Sequence, residues 1–218
     1  MTDVWSSRAE AYRDSPTHAS DPDLDIVVEM CNPHRGKKIL DVASGGGHVT
    51  RRLRELGAEV VSLDPSPGMH ADVLAPAEHI PFADGSFDCV VTRIAAHHFT
   101  SMGEALGEMV RVSNRELVIE DTLYRSEEHE QAEKLRDPSH VRSYSEDEWR
   151  DMLVDAGLEI ERVEYFEKTH ETDEWLARTD CTGETAERVR ELLAPLSEDG
   201  GRTWRDTKLI VKARKSQT

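Results

Sequence analysis

"KKILDVASGGGHVTRRL", residues 37–53, decides how this chain folds. Ile39, Leu40 and Val42 form a short apolar run that reads as a buried strand. Val49, Leu53 and Leu56 then fall on one face of a helix, and Gly57 can end it in a left-handed cap. Three consecutive glycines separate the two elements. Such a stretch is either a flexible turn or a place where a ligand lies against bare backbone. Missing Cβ atoms allow close approach, and the first amides of the following helix supply hydrogen-bond donors.

The next segment favours the second reading. "AEVVSLD", residues 58–64, reads as another strand and ends on Asp64, about 20 residues past the loop. A carboxylate at that strand end can accept hydrogen bonds from both hydroxyls of a ribose. Loop and carboxylate together predict a nucleoside site. The dinucleotide fingerprint requires a further small residue three positions after its second glycine. Counted from Gly45 and Gly47 that position is Thr50, which disfavours a dinucleotide. The chain also lacks a G-x-x-x-x-G-K-[ST] phosphate loop.

Further out the alternation continues. "SDPDLDIVVEMC" (20–31) carries a helix start, with Pro22 and acidic residues in its first turn. "FDCVVTRIAAHHF" (87–99) holds a strand ending near Arg93, "SMGEALGEMVRV" (101–112) a helix, and "RELVIED" (115–121) a strand. Strands alternating with helices predict a mostly parallel sheet covered on both faces. The second half reads differently. "SYSEDEWRDMLVDAGL" (143–158) is a helix with a Ser145–Glu148 capping box, and "LEIERVEYF" (158–166) alternates like a strand. "TDEWLART" (172–179) and "GETAERVRELLAP" (183–195) read as helices and "TKLIVKARK" (207–215) as a closing strand. Without repeats or a clear linker, residues 1–218 are expected to form one domain: arm and helix (1–35), ligand-binding core (36–121), and lid insertion with closing strands (122–218).

Composition narrows the function classes. The 218 residues are 37% hydrophobic and 33% charged, with a formal net charge of −17. An acidic surface repels nucleic-acid phosphates, so DNA and RNA are not expected partners. Carboxylate excess is also what a high-salt cytoplasm would select, which makes salt dependence an expectation. No run suits a membrane span, and "MTDVWSSRAEAYRDS" lacks the layout of a signal peptide. Three scattered cysteines, Cys31, Cys89 and Cys181, suggest a reducing cytoplasm and no metal site.

"ILDVASGGGHV", "VVSLDPSPGM", "AEHIPFADGSFDCVVTRIAAHHF" and the late "LIVKARK" resemble, in order, the motifs of class I S-adenosylmethionine-dependent methyltransferases. The likeness is to the type 11 group, which includes ubiquinone and menaquinone C-methyltransferases. The resemblance implies a doubly wound, Rossmann-like α/β fold of about seven strands, the last antiparallel, with a helical lid elaboration. It implies S-adenosylmethionine as cofactor and a small-molecule acceptor. Asp41 and the loop Ala43, Ser44, Gly45 to Gly47 would lie against the methionine moiety. Asp64, followed by Pro65, would hold the ribose and Met69 pack near the adenine. Ala77 and Glu78 would flank the adenine edge and Arg93 lie beside the amino acid. Tyr12 and His18 would belong to an arm over the cofactor. Ala43 stands where the family usually has a first glycine, and Pro76 where many relatives carry an aspartate for the adenine amino group. The segment 65–76 is also too short for the usual helix plus strand, and Asp72 is the expected substitute for that aspartate.

Methyl transfer needs the nucleophile, methyl and sulfur in line, and a base only where the acceptor holds its proton tightly. His97 and His98, just past a strand end on the ligand side, are the candidate catalytic residues. His140, Arg142 and Tyr144 are candidates for a substrate lid, and His170, Trp175 and Arg178 for the mouth of the site. The alternatives are a non-catalytic cofactor-binding or regulatory module and an NAD-dependent oxidoreductase.

Overall fold

A computed structural model describes residues 5–6, 22–197 and 199–216. Its frame is a seven-stranded sheet: β1 (Lys38–Val42), β2 (Glu59–Asp64), β3 (Val73–Leu74), β4 (Phe87–Arg93), β5 (Ser113–Thr122), β6 (Leu158–Glu171) and β7 (Thr203–Lys215). The strand order is β3-β2-β1-β4-β5-β7-β6. β1 to β5 pair in parallel, whereas β7 runs antiparallel to both β5 and β6. β1 lies between β2 and β4, so the chain reverses its direction of travel across the sheet there. The crevice beyond the carboxyl ends of these strands is where open α/β sheets bind ligands.

The helices follow from the apolar stripes. α1 (Pro22–Cys31) and α2 (His48–Glu55) cover one face, burying Leu24, Val27, Val28, Val49 and Leu53 against Ile39, Cys89, Val91 and Val118. α3 (Met102–Val112) covers the other face through Ala105, Leu106 and Met109. Alternate residues of one strand feed opposite faces: Ile39 joins the first core and Leu40 the second.

α4 (Glu127–Arg136), α6 (Thr172–Ala177) and α7 (Gly183–Leu193) enclose a third core around Trp175, Leu193 and Trp204. α5 (Glu146–Asp155) starts with the full Ser145–Glu148 capping box and buries Trp149 and Leu153 in the second core. At Ser101 only half of such a box forms, its side chain accepting from the Glu104 amide. The short segment after Asp64 is a single 3-10 turn, Pro67–Met69, followed by the two-residue β3. α4 had no counterpart in the sequence reading. Among the described residues no helix is long and apolar enough to cross a membrane.

Candidate active site

A cavity of about 940 Å³ opens at the carboxyl ends of β1, β2, β4 and β5. Asp41, Ala43, Ser44, Gly45, Asp64, Pro65, Met69, Ala77, Glu78, Arg93, His97 and His98 all line it. Gly47 does not, and Tyr12 and His18 lie outside the described residues.

The triglycine question resolves position by position. Gly45 has φ +49°, and a Cβ placed there would meet nothing within 4 Å, so its bare backbone faces open cavity. Gly47 serves the turn instead. It begins α2 in the left-handed region, and its amide closes on the Ser44 carbonyl at 2.8 Å. Ala43 has φ 55°, which explains the family's glycine at this position: an alanine there carries about 1–2 kcal/mol of steric cost.

Asp64 holds the loop from the neighbouring strand. Its Oδ2 accepts the Gly45 amide and its Oδ1 the Ser66 amide, both at 2.9 Å. Asp41 lies deeper and accepts Thr50 Oγ1–H at 2.6 Å. Burial, with the nearby Asp64 charge adding to it, pushes the Asp41 pKa up to about 7. Asp72 does not reach the cavity. Its Oδ2 is taken by Arg54 at 2.5 Å and by the Ser62 amide and hydroxyl, each at 2.8 Å. The expectation that it replaces the missing aspartate is therefore corrected. Glu78 is the carboxylate on that wall: its Oε1 accepts from Thr100 and Ser101, and its Oε2 has no partner among the described residues.

Arg93 ends β4 within a buried ion cluster, with Nη2 on Asp23 at 2.5 Å and Nε on Glu120 at 2.9 Å. Burial drives Glu120 well above the carboxylate range against the pull of Arg93. Asp23 is lowered, because the Glu120 hydrogen bond and Arg93 together outweigh its own burial cost. The two carboxylates share the Arg93 guanidinium. Ile94 follows with φ 52°, a left-handed conformation unusual for a β-branched residue, and its amide is held by the Glu120 carbonyl at 2.7 Å.

The two histidines differ. His97 Nδ1 lies 2.5 Å from Asp121 Oδ1, and its amide donates to Oδ2 of the same carboxylate at 2.7 Å. Burial opposes a charged His97, yet the attraction and hydrogen bond of Asp121, with Glu133 adding, raise its pKa above the ordinary value. His98 Nδ1 faces Ser139 Oγ at 3.2 Å, and its ring meets Trp5 edge-on at 4.8 Å. Burial, then the adjacent His97 charge, depress it to about 3.

The far wall comes from the second half of the chain. Lys208 Nζ bonds Thr122 Oγ1 at 2.5 Å and Asp206 at 2.8 Å, and His170 Nε2 meets the same Asp206 oxygen at 3.0 Å. Arg178 donates to His170 Nδ1 at 3.3 Å, which places the ring proton on Nε2 toward Asp206. Arg136 lies 4.1 Å over the Trp175 ring and pairs with Glu133. His170, Trp175 and Arg178 thus line the cavity as expected, whereas His140, Arg142 and Tyr144 do not. That segment contributes Pro138, Ser139 and Val141 instead, while His140 is buried on Glu130 and Arg142 pairs with Glu148. Sequence reading missed Asp121, Glu133, Arg136, Lys168, Asp206 and Lys208. Among the described residues no His, Cys, Asp or Glu cluster has the makings of a metal site.

An α/β sheet of this order, with an antiparallel strand inserted before its edge and a glycine loop facing a carboxylate at the reversal point, defines a Rossmann-like methyltransferase fold. Residues 40–116 match the family described as a methyltransferase domain. An uncharacterized methyltransferase of Bacillus subtilis, YcgJ, is 28% identical over 88% of this chain and 84% of that protein. A demethylmenaquinone methyltransferase of Beutenbergia cavernae is 36% identical over 40% of each chain. A Bacillus halodurans C-125 protein of known crystal structure superposes with a TM-score of 0.79 at 29% identity, covering 89% of this chain and 99% of that one. These likenesses support a class I methyltransferase of the type 11 group, and an enzyme of that kind.

Proposed function

We propose that the protein methylates a small polar acceptor with S-adenosylmethionine, one cavity holding both. The observation that carries this reading is the 2.9 Å bond from the Gly45 amide to Asp64, which sets bare backbone and a carboxylate side by side on the cavity wall. The residues present fit the cofactor. Asp64 would take the ribose hydroxyls, Met69 and Pro67 pack against the adenine, and Glu78 Oε2 accept from the adenine amino group. Asp41 and the loop from Ala43 would receive the methionine moiety, with Pro65 and Ala77 shaping the walls beside it. Bound there, the cofactor supplies a methyl group already activated by its sulfonium.

Arg136, Lys168, Arg178 and Lys208, interleaved with Glu133, Asp137 and Asp206, form the wall left for the acceptor. Charged groups held this closely favour a polar molecule over a long apolar one, which would leave them desolvated. The acidic chain disfavours a nucleic-acid acceptor. Thr50, turned inward onto Asp41, stands where the dinucleotide fingerprint requires glycine or alanine. The charged wall beyond the residues assigned to the cofactor supports an enzyme over a module that only binds cofactor.

Calorimetry with S-adenosylhomocysteine and, separately, with NAD tests the reading. Saturable binding of S-adenosylhomocysteine alone is the expected result. Binding of NAD without S-adenosylhomocysteine overturns it.

A further inference from the structure

Among the described residues the ring of His97 is hydrogen-bonded on its Nδ1 side. Asp121 contacts Nδ1 and the backbone amide of the same residue, and its Oδ1 also accepts the Thr122 amide at 2.8 Å. The His97 carbonyl is fixed in turn by the amides of Val141 at 2.8 Å and Arg142 at 3.2 Å. A carboxylate on Nδ1 keeps the proton there and leaves the lone pair on Nε2. His97 Nε2 has no hydrogen-bond partner among the described residues, and the side chain lines the cavity.

The groups facing this ring come from every element packed on it: Asp121 of β5, Glu133 of α4, Lys208 of β7, the adjacent His98, and His140 with its ring 5.3 Å away. Asp121, 1% exposed and held below the ordinary carboxylate range by its partners despite burial, stays ionised to neutralise an imidazolium. His98 serves less well, because its Nδ1 faces the Ser139 carbonyl and hydroxyl and not a carboxylate that could balance an imidazolium.

We infer that His97 and Asp121 form a general-base dyad, so that the methyl acceptor is a neutral, weakly acidic X–H nucleophile such as a phenol or an enolisable carbon acid. The inference rests on the function proposed above. In the transfer, X bonds to the methyl carbon as the carbon–sulfur bond breaks, and that electron pair returns to sulfur, which becomes a neutral thioether. The proton on X passes to His97 Nε2, and Asp121 balances the imidazolium that results. Asp121 acts as the positioning residue. A carboxylate acceptor, ionised at neutral pH, and a thioether, which has no proton to lose, have no use for such a base.

Nitrogen-15 NMR of histidine-labelled protein reads the tautomer directly. The expected result is a neutral His97 protonated on Nδ1, with a pKa that falls in Asp121→Asn. A neutral His97 protonated on Nε2, or an unchanged pKa in folded Asp121→Asn, overturns the dyad. Labelled methyl transfer is then measured with phenol and benzoate as paired probes. Transfer to phenol, reduced about 10²- to 10⁴-fold in His97→Gln, supports the base. Transfer to benzoate alone overturns the acceptor class. S-adenosylhomocysteine calorimetry on the same samples separates the two levels: retained binding beside an Nε2-protonated His97 refutes only the dyad, whereas absent binding refutes the proposed function.

Discussion

Asp64→Ala removes two things at once, and the structure lets them be separated. In the free protein the carboxylate accepts the Gly45 and Ser66 amides at 2.9 Å each, the second in a buried setting. An amide stripped of its acceptor costs about 1–3 kcal/mol when water cannot replace it, and the Gly45 amide can turn to the open cavity. One orphaned donor is therefore expected, lowering the melting temperature by roughly 2–12 °C at about 2–4 °C per kcal/mol for a chain of this size. With cofactor, a charged acceptor facing the ribose is lost as well. That interaction is worth about 1.5–3 kcal/mol, or roughly a 10- to 150-fold weaker affinity for S-adenosylhomocysteine by calorimetry. Gly45→Val provides the complement. A Cβ placed there meets no protein atom within 4 Å, so the variant is expected to lose affinity through contact with the ligand and stability through its φ of +49°. A folded Asp64→Ala protein that binds S-adenosylhomocysteine with unchanged affinity would refute the placement of the cofactor and leave the loop as a turn.

Arg93→Met removes the guanidinium that buried Asp23 and Glu120 share, and about 3–5 kcal/mol of stability should be lost in urea unfolding; a loss below about 1 kcal/mol would show the cluster to be dispensable. Asp41, raised to about 7 by burial, binds a proton that the unfolded chain releases near 3.9, so its contribution declines as pH rises from about 4 to 7 and is gone above that. Asp41→Asn should thus gain most relative to the parent at pH 8 and least at pH 4, and a pH-independent difference in melting temperature would contradict the shift. The net charge of −17 predicts a melting temperature that climbs between dilute buffer and molar potassium chloride as like charges are screened; a flat profile would leave an acidic protein with no adaptation to salt.

The half of the site proposed for the cofactor was legible because its chemistry is local. A glycine loop after a strand, and an acid at the end of the next strand, occupy fixed offsets along the chain, and parallel β1–β2 pairing brings them together through adjacent elements. The 65–76 segment looked anomalous because a helix was expected where a 3-10 turn suffices. α4 was invisible for another reason. "EEHEQAEKLR" buries His129, Glu130 and Ala132, so its inward face is largely polar and shows little apolar periodicity. What marks it as a helix is the Ser126 cap, with acidic residues in its first turn and basic ones in its last. With α4 unread, Glu133 and Arg136 had no address.

The half proposed for the acceptor is assembled by register, which local patterns do not encode. β7 lies antiparallel between β5 and β6, so its first residues meet the carboxyl ends of the parallel strands, where ligands bind. Thr122 is thereby set opposite Lys208, and Lys168 opposite Asp206. Lys168 with His170, and Asp206 with Lys208, are each two positions apart and so share one face of the sheet. In sequence "EKTHE" and "RDTKL" read as the polar ends of exposed strands, because alternation of charged with uncharged residues marks a solvated face and a polar cavity wall alike. Asp121 is hidden in the same way: it closes the apolar run "LVIED", and it is the turn after β4 that carries His97 onto the carboxylate.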